Sequence, residues 1–233
     1  MSISSKEIAS VQKKGAKPLN TFGMTENCAN VTSMHSGYDP EAAWTTIGKP
    51  TYFWDARAVD LNNPDSDASR QVAKPGRGQL IVKGPQNIHR YYLSDVTPRY
   101  SDGWLFARDV VDVGPTGYMQ IIDRVDETIL SGGENVYPQE VEMFLKKHPL
   151  VADAAVIGVP DPQWGERVVA LIVRKNATVD EQAIESWCVT SEELARYKRP
   201  RQVIFVDELP KNVFGKTERY KLKEQYRGRP TLP

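Results

Sequence analysis

The stretch from Asp123 to Glu140, DRVDETILSGGENVYPQE, is where the character of the sequence changes. Before it, apolar residues follow the two-residue period of β-strands. After it, Pro138 stands at the first position of a pattern with helical period. The charged start of the stretch is suited to a link between two folded parts. We therefore predict two domains, residues 1–123 and 124–233, joined by a hinge at residues 124–127.

The half before this stretch is predicted to be rich in strands. Apolar runs separated by Gly, Pro, Asn and Asp predict strands at Ala56–Val59, Gln79–Val82, Val110–Val113 and Tyr118–Ile122. The residues from Val113 to Gly117 predict a hairpin turn, and Asn62–Gly78 predicts a surface loop. Ahead of them, Ser4 and Glu7 have the spacing of a capping box for a short opening helix. We expect this half to form a distorted, barrel-like β subdomain.

The half after the stretch mixes helices with strands. Continuous apolar runs predict buried strands at Ala152–Val159, Arg167–Val173 and Val203–Val206. Pro138 predicts the start of one helix, Thr178 with Glu181 predicts a capping box for a second, and Thr217 caps a third that ends near Tyr226. These elements suffice for a core of roughly 100 residues. The predicted fold class is α+β, with a small complete domain after residue 124.

The composition excludes several classes of function. Thirty basic and thirty acidic residues cancel in a chain of 233, so nothing favours nucleic acid as a partner. The longest aliphatic run, Val168–Val173, is far shorter than the ~20 apolar residues of a membrane helix, and the first residues lack the apolar segment of a secretory signal. Two cysteines, Cys28 and Cys188, cannot build a disulfide framework, which favours the cytoplasm. Cys28 is expected to be a small buried residue.

Four glycine-containing polar segments lie in predicted loops, where a scaffold can present side chains for chemistry. They are Asn20–Asn27, Gly103–Asp109, Asp123–Glu140 and Leu209–Arg219. In the first, Thr25 and Glu26 place a hydroxyl beside a carboxylate, which suits a phosphate oxygen and its Mg²⁺. The alternative is that Thr25 only caps a helix. In the second, Asp109 could accept hydrogen bonds from the two hydroxyls of a ribose, or serve only in a turn.

The other two segments have the same two interpretations. Gly132 and Gly133 precede a predicted helix and can let a thin ligand pass against the backbone, or they form a bare turn. Gly215 turns the chain so that Lys216 projects ahead of the last helix. A lysine there is a mobile positive charge for phosphate or carboxylate, or a solvated surface residue.

All four segments, in this order and spacing, resemble the adenylate-forming superfamily of AMP-forming acyl- and aryl-CoA synthetases, carrier-protein adenylation domains and luciferases. Further matching segments extend the resemblance over nearly the whole chain: Thr46–Pro50, Gly78–Gly84 and Tyr197–Pro200. The resemblance implies a two-step ligase. A carboxylate attacks the α-phosphate of ATP to give an acyl-adenylate and pyrophosphate, and the thiol of coenzyme A then displaces AMP. The implied ligands are a small carboxylic acid, ATP with Mg²⁺, and coenzyme A.

The resemblance also assigns roles to residues in the nucleotide site. Phe22 and Gly23 belong to the cofactor-binding motif that continues into Thr25, which contacts phosphate, and Glu26, which holds Mg²⁺. Asp109 and Arg124 fall on the positions that grip the ribose hydroxyls. Lys216 falls on the lysine that bridges the substrate carboxylate and the α-phosphate, where a positive charge offsets the charge of the transition state.

The remaining implied roles concern the second step. Asp126 falls on the hinge about which the small C-terminal domain rotates between the two reactions. Gly132 and Gly133 would line the tunnel for pantetheine. Lys198 and Arg199 are candidates for the 3′-phosphate end of coenzyme A.

The sequence departs from the family pattern in two places. Ala107-Arg108-Asp109 stands where the family usually has Thr-Gly-Asp, so an arginine replaces a glycine in the nucleotide loop. No Ser/Thr/Gly-rich phosphate loop ending in Pro-Lys-Gly occurs in the 233 residues.

Two hypotheses of different class follow from these departures. The chain is a C-terminal fragment of an acid–CoA ligase, inactive alone, or it is a non-catalytic or partner-dependent module of a split enzyme. A ligase that loads a carrier protein is a third possibility. We expect exposed apolar surface on the first half, with self-association or an N-terminal complementing fragment as its consequence.

Overall fold

The computed structural model describes six ranges of the chain: 10–17, 19–33, 45–61, 68–176, 178–213 and 215–226. The chain divides into two compact units, an N-terminal unit from Ser2 to Val125 and a C-terminal unit from Asp126 to Pro233. Residues 10–13 are helical, whereas the predicted capping box of Ser4 and Glu7 lies outside the described residues. No helix among the described residues is long and apolar enough to cross a membrane.

The part of the N-terminal unit that the structure describes forms two antiparallel sheets. The smaller sheet contains β1 (Thr21–Met24), β2 (Ala29–Ser33) and β3 (Lys49–Pro50). The larger contains β4 (Asp55–Val59), β5 (Gly76–Lys83), β6 (Tyr100–Ser101), β7 (Trp104–Val113) and β8 (Met119–Arg124). The long strand β7 pairs with β5, β6 and β8. A bridge between Gly48 and Met119 joins the two sheets.

The expected barrel-like closure is absent from the described part of the N-terminal unit. Its larger sheet runs in the order β4-β5-β7, with β6 and β8 on β7. Within the described residues, β5 is the only strand that pairs with β4, apart from an isolated bridge between Val59 and Gln71. The four predicted strands and the hairpin between β7 and β8 are confirmed. The predicted loop Asn62–Gly78 is too long, because its last three residues belong to β5. A Cβ at Gly78 would lie 2.4 Å from the Val59 carbonyl oxygen. Glycine at this position therefore allows β4 and β5 to approach closely.

Both faces of the larger sheet in the N-terminal unit are buried. Leu80 and Val82 pack with Phe22, Leu105 and Val111 in one cluster. Ile81, on the opposite face of β5, belongs to a second cluster with Trp104 and Phe106.

The described residues of the C-terminal unit form an α+β domain with one five-stranded sheet and three helices. The strands are β9 (Ile129–Ser131), β10 (Glu134–Val136), β11 (Val151–Asp161), β12 (Gly165–Arg174) and β13 (Gln202–Val206). The helices are α1 (Pro138–Leu145), α2 (Glu181–Thr190) and α3 (Arg219–Tyr226). β12 pairs antiparallel with β11 and β9 and parallel with β13.

The continuous apolar runs of β11 and β12 exist because helices cover both faces of this sheet. Val156 and Ala170 face a cluster that includes Leu145 of α1 and Ile184 of α2. Ile157 and Leu171 point the other way, into a cluster with Leu222 and Tyr226 of α3. The prediction of buried strands is confirmed, since a strand covered on both faces has no polar side to expose.

Two helix caps predicted from the sequence are wrong. The N-cap of α2 is Asp180, whose Oδ1 accepts a hydrogen bond of 2.8 Å from the Ala183 amide. Thr178 lies two positions before Asp180, too early for the capping role, and donates its hydroxyl to Asn176 Oδ1. Thr217 pairs with Lys211 in a β-bridge, and α3 begins only at Arg219. Pro138 does occupy the first turn of α1, as predicted.

Candidate active site

A short 3-10 turn between β1 and β2 presents the predicted phosphate and metal residues. Thr25–Asn27 form the turn and Met24 precedes it as N-cap, so Thr25 does not act as the cap of a helix. The Asn27 side chain is fully buried and accepts a hydrogen bond of 2.9 Å from the Met24 amide. Cys28 ends the turn with φ of +53° and is exposed. The expectation that Cys28 is buried is wrong, because this turn lies at the surface.

Glu26 is held at both its main chain and its side chain. The Tyr91 hydroxyl donates to Glu26 Oε1 at 2.8 Å, and the Ile88 amide donates to the Glu26 carbonyl, also at 2.8 Å. The Tyr100 hydroxyl in turn donates to the Ile88 carbonyl. The pKa of Tyr91 is raised, first by its hydrogen bond to the Glu26 carboxylate and then by burial, so the hydroxyl keeps the proton that it donates. Sequence reasoning missed Tyr91, because no local pattern links residues 65 positions apart.

Asp109 and Arg124 are direct partners across two adjacent strands. Asp109 of β7 lies opposite Arg124 of β8 in the antiparallel register, and Arg124 Nη1 lies 3.9 Å from Asp109 Oδ1. The Asp109 side chain is 13% exposed and that of Arg124 is 53% exposed. A largely buried acceptor therefore lies beside a more exposed donor.

Phe22 and Gly23 have different surroundings, although they are neighbours on β1. The Phe22 ring is buried in the core of the N-terminal unit with Leu105 and Ala107, so it supports the strand rather than presenting a face to a ligand. Gly23 is exposed, and a shift of register between Phe22 and Gly23 interrupts the pairing of β1 with β2.

Arg108 adopts the left-handed conformation that glycine favours. Its φ is +62°, and it lies in a bulge of β7 where the pairing with β5 shifts register between Gln79 and Ile81. The bulge immediately precedes Asp109. A non-glycine residue with positive φ is under strain, which explains why glycine suits this position in the family pattern. The arginine keeps the backbone shape and bears the strain.

Gly132 and Gly133 form the two-residue turn of the hairpin between β9 and β10. Ser131 pairs with Glu134, and the two glycines have φ of +62° and +84°, as a type I′ turn requires. The Gly132 amide also donates to the Trp164 carbonyl at 2.8 Å, and a Cβ at Gly132 would lie 3.0 Å from the Trp164 ring. The turn conformation alone accounts for both glycines. At Gly132 the Trp164 ring also leaves little space for a side chain.

Lys216 lies in a closed loop ahead of α3. Gly215 precedes it with φ of +76°, and Lys216 itself is exposed. The Lys216 amide donates to Asn212 Oδ1 at 3.0 Å. Asp126, the predicted hinge residue, lies in a 3-10 turn that spans Val125–Glu127.

The two basic residues suggested for coenzyme A differ in their surroundings. Lys198 Nζ forms an ion pair with Glu140 Oε1 at 2.6 Å, and only 12% of the Lys198 side chain is exposed. Arg199 lines a cleft of about 380 Å³ together with Arg196 and Arg201, opposite Cys188 of α2. Burial raises the pKa of the Cys188 thiol to about 11. The cleft therefore offers guanidinium groups and a neutral thiol.

The predicted site residues fall into two sets, one on each unit. The N-terminal unit carries Phe22, Gly23, Thr25, Glu26, Asp109 and Arg124, and the C-terminal unit carries Asp126, Gly132, Gly133 and Lys216. Within the N-terminal unit, the structure pairs Asp109 with Arg124. Within the described residues, no group of three or more His, Cys, Asp or Glu side chains could hold a metal ion alone.

Comparison with known proteins places the chain in a family. Residues 140–216 match the AMP-binding enzyme C-terminal domain. The long-chain-fatty-acid–CoA ligase FadD13 of Mycobacterium tuberculosis is 34% identical over 215 residues, which cover 91% of this chain and 41% of that protein. The chain belongs to the adenylate-forming superfamily.

Solved structures of this superfamily have the same fold. ATP-bound MatB from Rhodopseudomonas palustris matches with a TM-score of 0.78 and 32% identity, over 89% of this chain and 40% of MatB. The o-succinylbenzoate CoA synthetase MenE of Bacillus subtilis, in complex with the acyl-adenylate OSB-AMP, matches with a TM-score of 0.76 and 30% identity, over 96% of this chain and 44% of MenE. This chain corresponds to the C-terminal portion of these enzymes and spans about two fifths of their length.

Proposed function

We propose that this chain supplies part of the nucleotide site and the lysine-bearing lid of an AMP-forming acid–CoA ligase. The observation that carries the proposal is the pairing of Asp109 with Arg124 across β7 and β8, in a chain similar to enzymes solved with ATP and with an acyl-adenylate. The reaction is attack of a carboxylate on the α-phosphate of ATP, followed by transfer of the acyl group to a thiol.

Each proposed residue has a role that its surroundings support. Asp109 accepts hydrogen bonds from the ribose hydroxyls and Arg124 donates beside it, while Thr25 donates its exposed hydroxyl to phosphate. Lys216 places a positive charge between the attacking carboxylate and the α-phosphate, where it offsets the charge that develops in the transition state. The exposure of Lys216 leaves its long side chain able to reach a ligand.

Glu26 fits a magnesium ion that is shared with phosphate. Tyr91 occupies Glu26 Oε1, and no acidic cluster of three accompanies Glu26 among the described residues. Mg²⁺ is usually held by one or two carboxylates together with substrate phosphates and water. When bound, Mg²⁺ would neutralise phosphate charge, and Glu26 would be its protein ligand.

Coenzyme A is the proposed acyl acceptor. The relatives FadD13 and MenE are named as CoA ligase and CoA synthetase. The cleft is lined by Arg196, Arg199 and Arg201 against Glu181 and Glu185, so its lining has a small excess of positive charge for phosphates. Lys198 forms an ion pair with Glu140, whereas Arg199 Nη2 donates to a neutral group, the Val189 carbonyl, at 3.3 Å. We therefore assign the phosphate contacts to Arg199 and not to Lys198. A carrier protein is the alternative acceptor. The rotation between the two steps would occur at Asp126.

We propose that the N-terminal unit packs on a further polypeptide. Tyr52, Phe53, Tyr92 and Leu93 are each more than 80% exposed, and these two adjacent pairs are the candidates for an apolar contact with a partner. The chain spans about 41% of FadD13, so sequence equivalent to the remaining part of the relatives is the proposed partner. Self-association is the alternative.

Both cysteines are free thiols, and the reducing cytoplasm is the compartment that we propose.

The experiment that tests the function is acid-dependent ATP–pyrophosphate exchange. The 233-residue chain is assayed alone and after addition of the N-terminal fragment of a relative, with a panel of fatty, aryl and short carboxylic acids. We expect exchange only in the complemented sample and its loss in K216A. Exchange by the chain alone would contradict the partner-dependent form of the proposal. Absence of exchange in both samples, with every acid, would favour a non-catalytic module. Offering coenzyme A and a phosphopantetheinylated carrier protein to the active sample separates the two acceptors.

A further inference from the structure

The loop that carries Lys216 is closed by one residue, Asn212. The Asn212 amide donates to the Lys216 carbonyl at 2.9 Å, and the Asn212 carbonyl accepts from the Gly215 amide at 2.9 Å. The Asn212 side chain adds a third bond, because its Oδ1 accepts from the Lys216 amide at 3.0 Å. Both main-chain polar groups of Lys216 are therefore bonded to Asn212.

Ion pairs anchor the two ends of this loop to the body of the C-terminal unit. At the first end, Lys211 Nζ lies 2.6 Å from Asp153 Oδ2, and Lys146 Nζ lies 2.7 Å from the other oxygen of the same carboxylate. The two lysines lower the pKa of Asp153 against the opposing effect of burial, which keeps this anchor charged.

The second anchor is buried. Arg219 forms two hydrogen bonds with Glu142, Nε to Oε1 at 3.0 Å and Nη2 to Oε2 at 2.8 Å. Glu142 is 7% exposed and also accepts from the Val156 amide at 2.9 Å. Planar pairing of a guanidinium with a carboxylate fixes orientation as well as distance. Since Arg219 follows Lys216 by three residues, the chain on both sides of Lys216 is held in place.

We propose that Asn212 is a positioning residue, which fixes the backbone at Lys216 while the lysine side chain remains free to reach a ligand. The inference rests on the proposed function for the role of Lys216, and adds the residue that holds it. A flexible lysine has many orientations, and a catalytic group contributes most when its attachment point is already in place. The side-chain hydrogen bond of Asn212 fixes the backbone at Lys216 and does not involve the Lys216 ammonium group.

The test measures hydrogen exchange and the ¹⁵N–¹H signal of the Lys216 amide in the full 233-residue chain. N212A removes the acceptor of this amide, whereas N212D keeps Oδ1. The chain offers a matched control in N176A, because Asn176 Oδ1 also accepts from a backbone amide, that of Thr178, at 3.2 Å in a surface turn of the same unit. None of these measurements requires ATP or an acid.

We expect the Lys216 amide to exchange faster in N212A by a factor of up to about ten, since a hydrogen bond contributes roughly 1.4 kcal/mol or less and 1.4 kcal/mol corresponds to a factor of ten. N212D should restore most of the protection, and N176A should leave the Lys216 amide unchanged. Unchanged exchange in N212A would overturn the proposal. An equal effect of N176A would also overturn it, because it would show a general loss of stability. Failure of the ATP–pyrophosphate assay would leave this result standing, so the two proposals fail separately.

Discussion

Asp109 of β7 and Arg124 of β8 face each other in the antiparallel register, with 3.9 Å between Oδ1 and Nη1. The distance is long for a strong ion pair and more than half of the arginine side chain is exposed. Such pairs contribute about 0–1 kcal/mol to stability. The pairing itself therefore contributes little to holding the sheet together, and the ribose contact stays a proposal.

We expect D109N to weaken AMP binding to the chain by about tenfold to a hundredfold, because hydrogen bonds to charged groups contribute roughly 1.5–3 kcal/mol. The loss is measured by NMR titration with AMP. D112N is the matched control, since Asp112 lies on the same strand and pairs with Arg77 at 2.6 Å. Equal losses in D109N and D112N would contradict a ribose contact at Asp109.

Arg108 should be replaceable by glycine with a gain in stability. Its φ of +62° costs a non-glycine residue about 1–2 kcal/mol, while glycine loses more backbone entropy on folding by about 0.5–1 kcal/mol. We expect R108G to raise the free energy of unfolding of the N-terminal unit by about 0.5–1 kcal/mol in urea. R108A retains the strained conformation and should give no gain. A gain of the same size in R108A would mean that the arginine side chain, not the backbone, is the source of the strain.

The two glycines of the β9–β10 turn should differ in their tolerance of alanine. Both have positive φ, but only at Gly132 would a Cβ meet the Trp164 ring, at 3.0 Å. We expect G133A to lower the free energy of unfolding of the C-terminal unit by about 1 kcal/mol and G132A by about 2 kcal/mol. Chemical denaturation followed by far-UV circular dichroism measures both. A smaller cost for G132A than for G133A would contradict the contact with Trp164.

Loss of Arg219 should be costly, and the cost should depend on pH. Breaking a buried ion pair from one side destabilises by about 3–5 kcal/mol, and Glu142 would lose its guanidinium partner in R219M. Burial raises the pKa of Glu142 above its ordinary 4.5, against the opposing effect of Arg219. A carboxyl with a raised folded-state pKa contributes most to stability below pH 4.5, and this contribution is lost as the pH rises through the folded-state pKa.

R219M raises that pKa further, so we expect its cost to be largest near neutral pH and smaller near pH 4.5. Urea unfolding of wild type and R219M across this range measures the difference. K147M is the control, because the Lys147–Glu193 pair is exposed at both partners and should contribute little at any pH. A cost that does not change with pH would exclude the ionisation of Glu142 as its source.

The two cysteines should differ sharply in reactivity. Cys28 is exposed, whereas Cys188 is buried and its pKa is raised to about 11, chiefly by desolvation. Because the thiolate is the nucleophile, we expect iodoacetamide at pH 8 to alkylate Cys28 in the native chain and spare Cys188. Peptide mass spectrometry identifies the modified residue, and alkylation in denaturant should reach both. Equal native labelling would show that the face of α2 that carries Cys188 opens readily.

The parts of the fold that follow from local patterns were predictable from the sequence. β11 and β12 appear as continuous apolar runs because both of their faces are buried, and Pro138 indicates the start of α1. The caps at Thr178 and Thr217 were predicted wrongly, since a hydroxyl near a helix start indicates a cap but does not identify the position. At the start of α2, Asp180 lies directly before the first helical residue, and its carboxylate accepts from the Ala183 amide.

The candidate site was predictable where its residues follow a family motif, and not where long-range contacts support them. Thr25, Asp109 and Lys216 were identified from the sequence, and their assignment to a site stays a prediction. Tyr91, which holds Glu26, and Glu142, which anchors Arg219, come from distant parts of the chain and no spacing rule connects them. Asn212 could have been suspected, because Asn and Gly in one loop are typical of a side chain that bonds to a nearby backbone amide.

The closed loop between Asn212 and Lys216 also constrains how this segment can change in evolution or in engineering. Val213 is 94% exposed, so many side chains are acceptable there. The number of residues is a different matter, because the three bonds join Asn212 to positions three and four further along the chain. An inserted or deleted residue would pair Asn212 with the wrong backbone groups. The segment should therefore tolerate other side chains at Val213 and resist changes of length.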